Sequence, residues 1–382
     1  MTLDADTLLA AAREQTGLSD LGDERIREGL GVLVRSLDTE AKLTPTGRDR
    51  VAASIVATLA NRLKVEDYLA SHPELLDRPI EKPLFLFGLP RTGTTLAINL
   101  LAADPMRRCF LRWEAFASVP PAKAGELRSD PRYHAEQARL EMSLKYVPHI
   151  SAMHHEDADS PTECQFAMTP SFCSQVYDSQ FQIPGYSDWF LSADYAPAFA
   201  YHKRLMQLLQ EHNGGRWTFK NPWHPLYLDA LTATYPDAQL VMTHRDPADV
   251  VASACSLVYA VRQMFSDEVD PHQVAADSLK TFGLMIARTQ AFEAKHGAGS
   301  IHHIGYRELT ADPLGTMRQA YAHFGEELSP EAAAAMQAML DANPQGKHGK
   351  HKYALEDYGL TRDGVNAHFR DYCERYDIPR KG

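Results

Sequence analysis

The sequence predicts an α/β fold, a parallel central sheet flanked by helices, with an N-terminal helical extension. Three observations predict it. From residue 83 onward, short apolar runs bounded by turn residues alternate with stretches of helical periodicity, the pattern of parallel strands joined by crossover helices. Residues 1–80 carry helical patterns alone, with apolar residues at three and four spacing in Leu3–Arg13, Glu24–Leu37 and Pro45–Leu69. Between the two regions, Pro83-Leu-Phe-Leu-Phe-Gly88-Leu-Pro-Arg-Thr-Gly93-Thr94-Thr95-Leu joins an apolar strand to a helix through a glycine loop.

Residues 1–80 therefore form the extension and residues 81–382 the main domain. After a strand at 84–88 and a helix at 94–103, the patterns give helices near 130–146, 160–178 and 197–212, a strand at 216–220 and a helix at 224–235. A strand at 239–244, helices at 248–264 and 272–295, a strand at 300–305 and helices at 308–324 and 329–342 follow, with a terminal helix over Thr361–Tyr376. A stretch of about 146–201 interrupts the alternation and is rich in aromatics and histidines, among them His149, His154, His155, Phe166, Phe172, Tyr177, Phe181 and Tyr186. This helical insertion either walls an apolar pocket or forms a second small core. The extension reads either as scaffolding or as an arm that covers a site or serves homodimerisation.

Composition excludes several classes. At 382 residues, 44% hydrophobic and 23% charged, the chain is an ordinary globular protein with a large core. A net charge of −11 argues against a general nucleic-acid binder, which needs a basic surface to displace counterions. Five scattered cysteines without metal-ligand spacing imply thiols in a reducing compartment and no metal site. No run approaches the ~20 apolar residues of a membrane helix, and Met1–Asp20 lacks a signal-peptide core. The expected location is cytoplasmic.

The glycine loop is an anion cradle. It has the spacing of a Walker A loop, with Thr94 where the defining lysine would stand. The first N–H groups of the following helix have no intrahelical partners, and they lie at the positive end of its dipole. Arg91 and the hydroxyls of Thr92, Thr94 and Thr95 flank them across Gly93. Without the lysine, a triphosphate is a poor ligand. A second anion grip follows the strand at 239–244: Arg245 stands at its carboxyl end, Asp246 and Pro247 open the next helix, and Ser253 lies eight residues on. The alternative for this pair is an Arg–carboxylate contact and a packed serine.

Together, these motifs resemble those of sulfotransferases that use 3′-phosphoadenosine 5′-phosphosulfate (PAPS). The first loop is similar to their 5′-phosphosulfate loop, and Arg245 with Ser253 to their 3′-phosphate motif. Arg216-Trp-Thr-Phe-Lys220-Asn-Pro222-Trp-His224-Pro and Tyr306-Arg-Glu-Leu-Thr-Ala-Asp312-Pro313 look like further landmarks. The likeness spans about residues 60–382, is nearest to the bacterial sulfotransferase-like group, and implies the P-loop NTPase-like sulfotransferase fold. It departs from the cytosolic aryl and steroid enzymes, which carry Lys and Trp where Arg91 and Leu96 stand.

The resemblance implies PAPS as cofactor, bound by Arg91, Thr92, Gly93, Thr94, Thr95, Arg245, Ser253 and Tyr306. It also implies a basic segment late in the chain over the 3′-phosphate, here Lys347, Lys350 and Lys352. Lys220 would neutralise the leaving phosphate. Glu114 is the first choice of proton acceptor, with His224 and His155 as the others, each open to a purely structural reading. A hydroxyl of a small or lipidic molecule is the expected acceptor, without a metal. A P-loop kinase or nucleotide hydrolase and a catalytically silent nucleotide-binding protein are the alternatives.

Overall fold

The computed structural model describes residues 3–146, 156–343 and 354–380. Five strands form one sheet: β1 (Leu84–Gly88), β2 (Arg107–Cys109), β3 (Arg216–Lys220), β4 (Gln239–His244) and β5 (His302–Gly305), in the order β2-β3-β1-β4-β5. Every pairing is parallel. β1 lies at the centre, with Leu86 beside Lys220 on one side and Gly88 beside Thr243 on the other. The carboxyl ends of β1, β3 and β4 thus meet at one edge, where open parallel sheets bind ligands.

Alternation along the strands divides the core into two faces. Phe85, Phe87, Trp217, Phe219, Leu240 and Met242 belong to one apolar cluster; Leu84, Leu86 and Val241 belong to another with Ile98, Leu101, Met317 and Met336. Helices Thr94–Ala103, Pro313–His323 and Pro330–Ala342 cover the second face. The first face merges with the N-terminal helices Ala5–Thr16, Ile26–Thr39 and Pro45–Ser71, whose Leu8, Leu33, Leu59 and Leu63 share its cluster. The extension is continuous with the core.

The sequence patterns place four of the strands and most of the helices. Strand β2 escapes them because it is three residues long and begins with two arginines. Both are buried, and tertiary partners satisfy them: Arg107 donates to Tyr321 Oη at 2.8 Å and Thr218 Oγ1 at 3.1 Å, and Arg108 to Asn213 O at 2.8 Å. The expected helix at 160–178 is two short helices, Cys164–Met168 and Gln175–Gln180. That at 308–324 breaks before Pro313, which has no N–H to continue it, where Asp312 caps a new helix by accepting from Gly315 N at 2.9 Å. The one at 224–235 opens with a 3-10 turn, His224–Leu226, before Leu228–Thr234. The terminal helix divides at Phe369 into Arg362–His368 and Arg370–Arg375.

Arg62, in the long helix Pro45–Ser71, fastens the extension. Its Nε donates to Leu21 O at 2.8 Å, its Nη1 to Pro170 O at 3.2 Å, and its guanidinium lies 4.3 Å from the Tyr201 ring centroid. Glu66 pairs with it at 3.8 Å and also with Arg204. Arg62→Ala orphans two carbonyls and removes one counter-charge of a buried carboxylate, so denaturant titration should show a loss of about 3–5 kcal/mol. A loss under about 1 kcal/mol would mean that the extension is not fastened there.

Candidate active site

The loop after β1 owes its shape to two left-handed residues. Arg91 has φ 70° and Gly93 φ 100°, and a Cβ on Gly93 would stand 2.9 Å from the Tyr306 ring. Alternating such conformations turns successive N–H groups inward into an anion nest at the start of Thr94–Ala103. Thr95 is exposed and Thr94 buried. Thr92 corrects an expectation. Its hydroxyl is fully buried, donates to Leu89 O at 2.7 Å and meets Thr243 Oγ1 at 2.6 Å, so it holds the loop to β4 and is not presented to an anion.

The two anion motifs meet. Arg91 Nε donates to Ser253 Oγ at 3.1 Å, across 162 residues of sequence, and Arg245 Nη1 donates to Arg91 O at 3.1 Å. Asp246 caps the helix Pro247–Arg262 by accepting from Ala248 N at 3.0 Å, which leaves Arg245 just outside its N-terminus. The Arg245 guanidinium stacks 4.5 Å from the ring centroid of Tyr306, the first residue after β5. The ends of three strands therefore place Arg91, Arg245, Ser253 and Tyr306 around one site.

Lys220 ends β3 and is buried. Its Nζ lies 3.1 Å from Glu163 Oε1. Glu163 precedes the helix Cys164–Met168 and runs alongside Lys220 as an isolated parallel bridge, with its other oxygen held by Gln165. Sequence reasoning missed Glu163, because one continuous helix over 160–178 makes it an ordinary helical position. The usable signal was an acid standing directly before the apolar Cys-Gln-Phe-Ala-Met run.

The expected bases fare differently. Glu114 is fully buried: Oε1 accepts from Arg108 Nη2 at 2.6 Å and Oε2 from Leu111 N at 3.1 Å. Burial pushes its carboxyl up, against the pull of Arg108. In its short helix, Arg112, Ala115 and Phe116 line a cleft and Glu114 faces the interior. It is an internal ion pair and cap, which corrects the first choice of base. His224 is likewise corrected. Its ring is fully buried among Phe85, Phe87, Phe199 and Tyr227, and neither ring nitrogen has a partner among the described residues. Burial, with neighbouring His202, holds it neutral well below the usual histidine range. His155, Lys347, Lys350 and Lys352 lie outside the described residues, as do His149 and His154.

The cleft beside that helix has a volume of about 460 Å³. Phe166, Tyr177 and Phe181 of the insertion face it, with Phe116, Met264 and Phe265; Ser54, Ala57, Thr58 and Asn61 of the long N-terminal helix form another wall. Phe172, Tyr186 and Phe190 instead pack in the core. The described part of the insertion thus walls a cleft, and its remaining aromatics join the main core beside Phe85 and Phe219 rather than forming a second small core. Cys164–Met168 links the two regions, since Glu163 before it touches Lys220 and its Phe166 lines the cleft.

A model of the sulfotransferase family matches residues 83–330. This chain belongs to that family. It is similar over its whole length, with a TM-score of 0.93 and 33% identity, to the crystal structure of sulfotransferase STF9 from Mycobacterium avium, 98% of which is covered. STF1 from Mycobacterium tuberculosis H37Rv gives 0.86 and 34%, over 96% of this chain and 98% of that one. Among curated proteins it is 22% identical over 325 residues to the omega-hydroxy-beta-dihydromenaquinone-9 sulfotransferase Stf3 of Mycobacterium tuberculosis and Mycobacterium bovis, covering 78% of this chain and 76% of theirs. The five-stranded parallel sheet and the loop after β1 are the sulfotransferase fold in this chain. No helix among the described residues is long and apolar enough to cross a membrane.

The placement of His224 makes a testable difference. The unfolded chain takes up a proton on this histidine near pH 6.5, whereas the folded chain does so only at much lower pH. Keeping the buried ring neutral therefore carries no proton-linked cost above about pH 6.5, and it destabilises the fold progressively as pH falls below that value. His224→Phe removes two unpartnered buried nitrogens, so melting curves between pH 7.5 and 5 should show a higher Tm and a shallower fall with acid. A folded His224→Phe protein without sulfuryl transfer would restore the histidine as base.

Proposed function

We propose that this sulfotransferase moves the sulfuryl group of PAPS to the hydroxyl of a lipidic acceptor, without a metal. The observation that carries the reading is the contact of Arg91 with Ser253 and Arg245. The 3′ and 5′ substituents of one ribose are separated by the sugar alone, so their two grips must be neighbours. The nest at Gly93 suits the 5′-phosphosulfate, and Arg245 with Ser253 suits the 3′-phosphate. Lys347, Lys350 and Lys352 are proposed to close over that phosphate.

Glu163 and Lys220 then divide the chemistry. The acceptor hydroxyl gives its proton to Glu163 as its oxygen bonds to sulfur; the bond from sulfur to the bridging phosphate oxygen breaks, and Lys220 neutralises the charge on that oxygen. Their contact at 3.1 Å keeps the buried ammonium compensated beforehand. The aromatic cleft supports an apolar acceptor whose hydroxyl enters from the side of Phe166. Stf3 is named for an acceptor of this kind, a hydroxylated menaquinone.

Calorimetry in chelator should find adenosine 3′,5′-bisphosphate bound more tightly than 5′-AMP, with Arg245→Ala losing about 1.5–3 kcal/mol of that preference. Equal affinities, or a preference for Mg-ATP, would reject PAPS. For the chemical step, labelled PAPS is supplied with a lipid extract. Glu163→Gln and Lys220→Met should each depress turnover by roughly 10²–10⁴-fold with bisphosphate affinity retained, and Glu114→Gln should act mainly on stability. Full turnover in Glu163→Gln would remove it as the proton acceptor.

A further inference from the structure

Arg362 opens the helix Arg362–His368 and reaches back to the N-terminus of Pro247–Arg262. Its Nη1 lies 3.3 Å from Asp246 Oδ2 and its Nη2 3.1 Å from Asp249 Oδ1. The second oxygen of Asp249 stands 3.6 Å from Arg245 Nη2. One carboxylate is therefore shared by two guanidiniums, and one of these is the proposed 3′-phosphate ligand. Both partners of Arg362 and the Arg245 guanidinium beside them are mostly buried: the side chains of Asp246, Asp249 and Arg245 are 4%, 12% and 23% exposed, so solvent screens the interactions only in part.

The charges decide what this arrangement does. Arg245, Asp246 and Asp249 alone sum to one negative charge, an unfavourable place for a phosphate carrying about 1.5–2 negative charges. Arg362 cancels that excess and engages both carboxylates. The N-terminus of the sixteen-residue helix and Arg91 can then set the sign of the local field. Asp246 cannot simply be dispensed with, because its other role is to cap that helix.

We propose that Arg362 is a positioning residue for the cofactor: by engaging Asp246 and sharing Asp249 with Arg245 it offsets the carboxylate charge that would otherwise hold the Arg245 guanidinium, so that Arg245 can turn to the 3′-phosphate. The inference rests on the reading that Arg245 and Ser253 bind that phosphate. It gives the C-terminal helix a part in selecting the cofactor, at a distance from the sulfuryl group.

The test is the ratio of calorimetric affinities for adenosine 3′,5′-bisphosphate and 5′-AMP, measured on the full chain alongside Tm. Arg362→Ala should lower the ratio about tenfold, because Arg245 is left to compensate the carboxylates. Asp249→Asn in that background should restore most of it, and Asp249→Asn alone should raise it above the original chain. A ratio unchanged in Arg362→Ala, or equal losses for both ligands with a lower Tm, would reduce Arg362 to a strap for the C-terminal segment. Should Arg362→Ala not fold, an unchanged ratio in Asp249→Asn alone overturns the proposal. If the original chain does not distinguish the two ligands, the 3′-phosphate reading fails first, and the inference falls with it.

Discussion

The close approach of β1 to β4 at Gly88 is the constraint on which the site depends. A Cβ at Gly88 would lie 2.4 Å from Thr243 O, so no other residue allows the strands to run together to their ends. That contact brings Thr92 Oγ1 to Thr243 Oγ1, and the shared hydroxyl bond pins the loop while Arg91 and Gly93 take left-handed conformations. Non-glycine residues adopt that conformation at a cost of order 1–3 kcal/mol when surrounding structure holds them there. At Arg91 the gain is the direction of its side chain, across β4's end to Ser253.

Around this junction the protein keeps its cations compensated before any anion arrives. Lys220 has Glu163, Arg245 has Asp249, and Asp249 has Arg362 as well. In a low dielectric an isolated ammonium would lose its proton or disrupt the packing, so internal carboxylates are the condition for burying it at all. Arg108 with Glu114 obeys the same rule to a different end. Both of its members are buried, in contact with Trp217, Leu111 and Asn213, and neither lines the cleft beside Phe166. Burial and pairing are common to the two carboxylates; what separates Glu163 from Glu114 is a neighbour at the sheet's carboxyl edge.

This distinction also sets what could be read from the sequence. The strand, loop and helix at 84–103 and the Arg245 motif were legible because their chemistry is local: glycine, a proline at the first helical turn and a capping aspartate act on backbone within a few residues. Glu114 misled because position along the chain says nothing of which face of a short helix a carboxylate occupies. Glu163 and Arg362 were invisible for the converse reason. Each is defined by a partner 57 or 113 residues distant, and no periodicity announces such a meeting. Strand β2 belongs with them, since its arginines are made strand-compatible by Tyr321, Thr218 and the Trp217 ring.

The C-terminal segment is also tied to β4 by a relay of neutral rings. His303 Nε2 faces the Glu293 carboxylate at 2.9 Å and so carries the proton as a neutral ring; its Nδ1 must accept from His244 Nε2 at 2.7 Å, and His244 Nδ1 in turn accepts from Tyr372 Oη at 2.8 Å. Tyr376 donates to the other oxygen of Glu293 at 2.5 Å. Every donor in this chain points one way, from the helix Arg370–Arg375 through the last residue of β4 to Glu293. Protonating His303 would set its Nδ1–H against the Nε2–H of His244 at hydrogen-bond distance, and protonating His244 would turn its Nδ1 from acceptor to donor toward Tyr372 Oη and reverse that bond; burial holds both rings below the usual range. His244 immediately precedes Arg245. The segment that carries Arg362 is thus fixed to β4 on both sides of the proposed 3′-phosphate ligand, by an ion pair after it and a neutral relay before it.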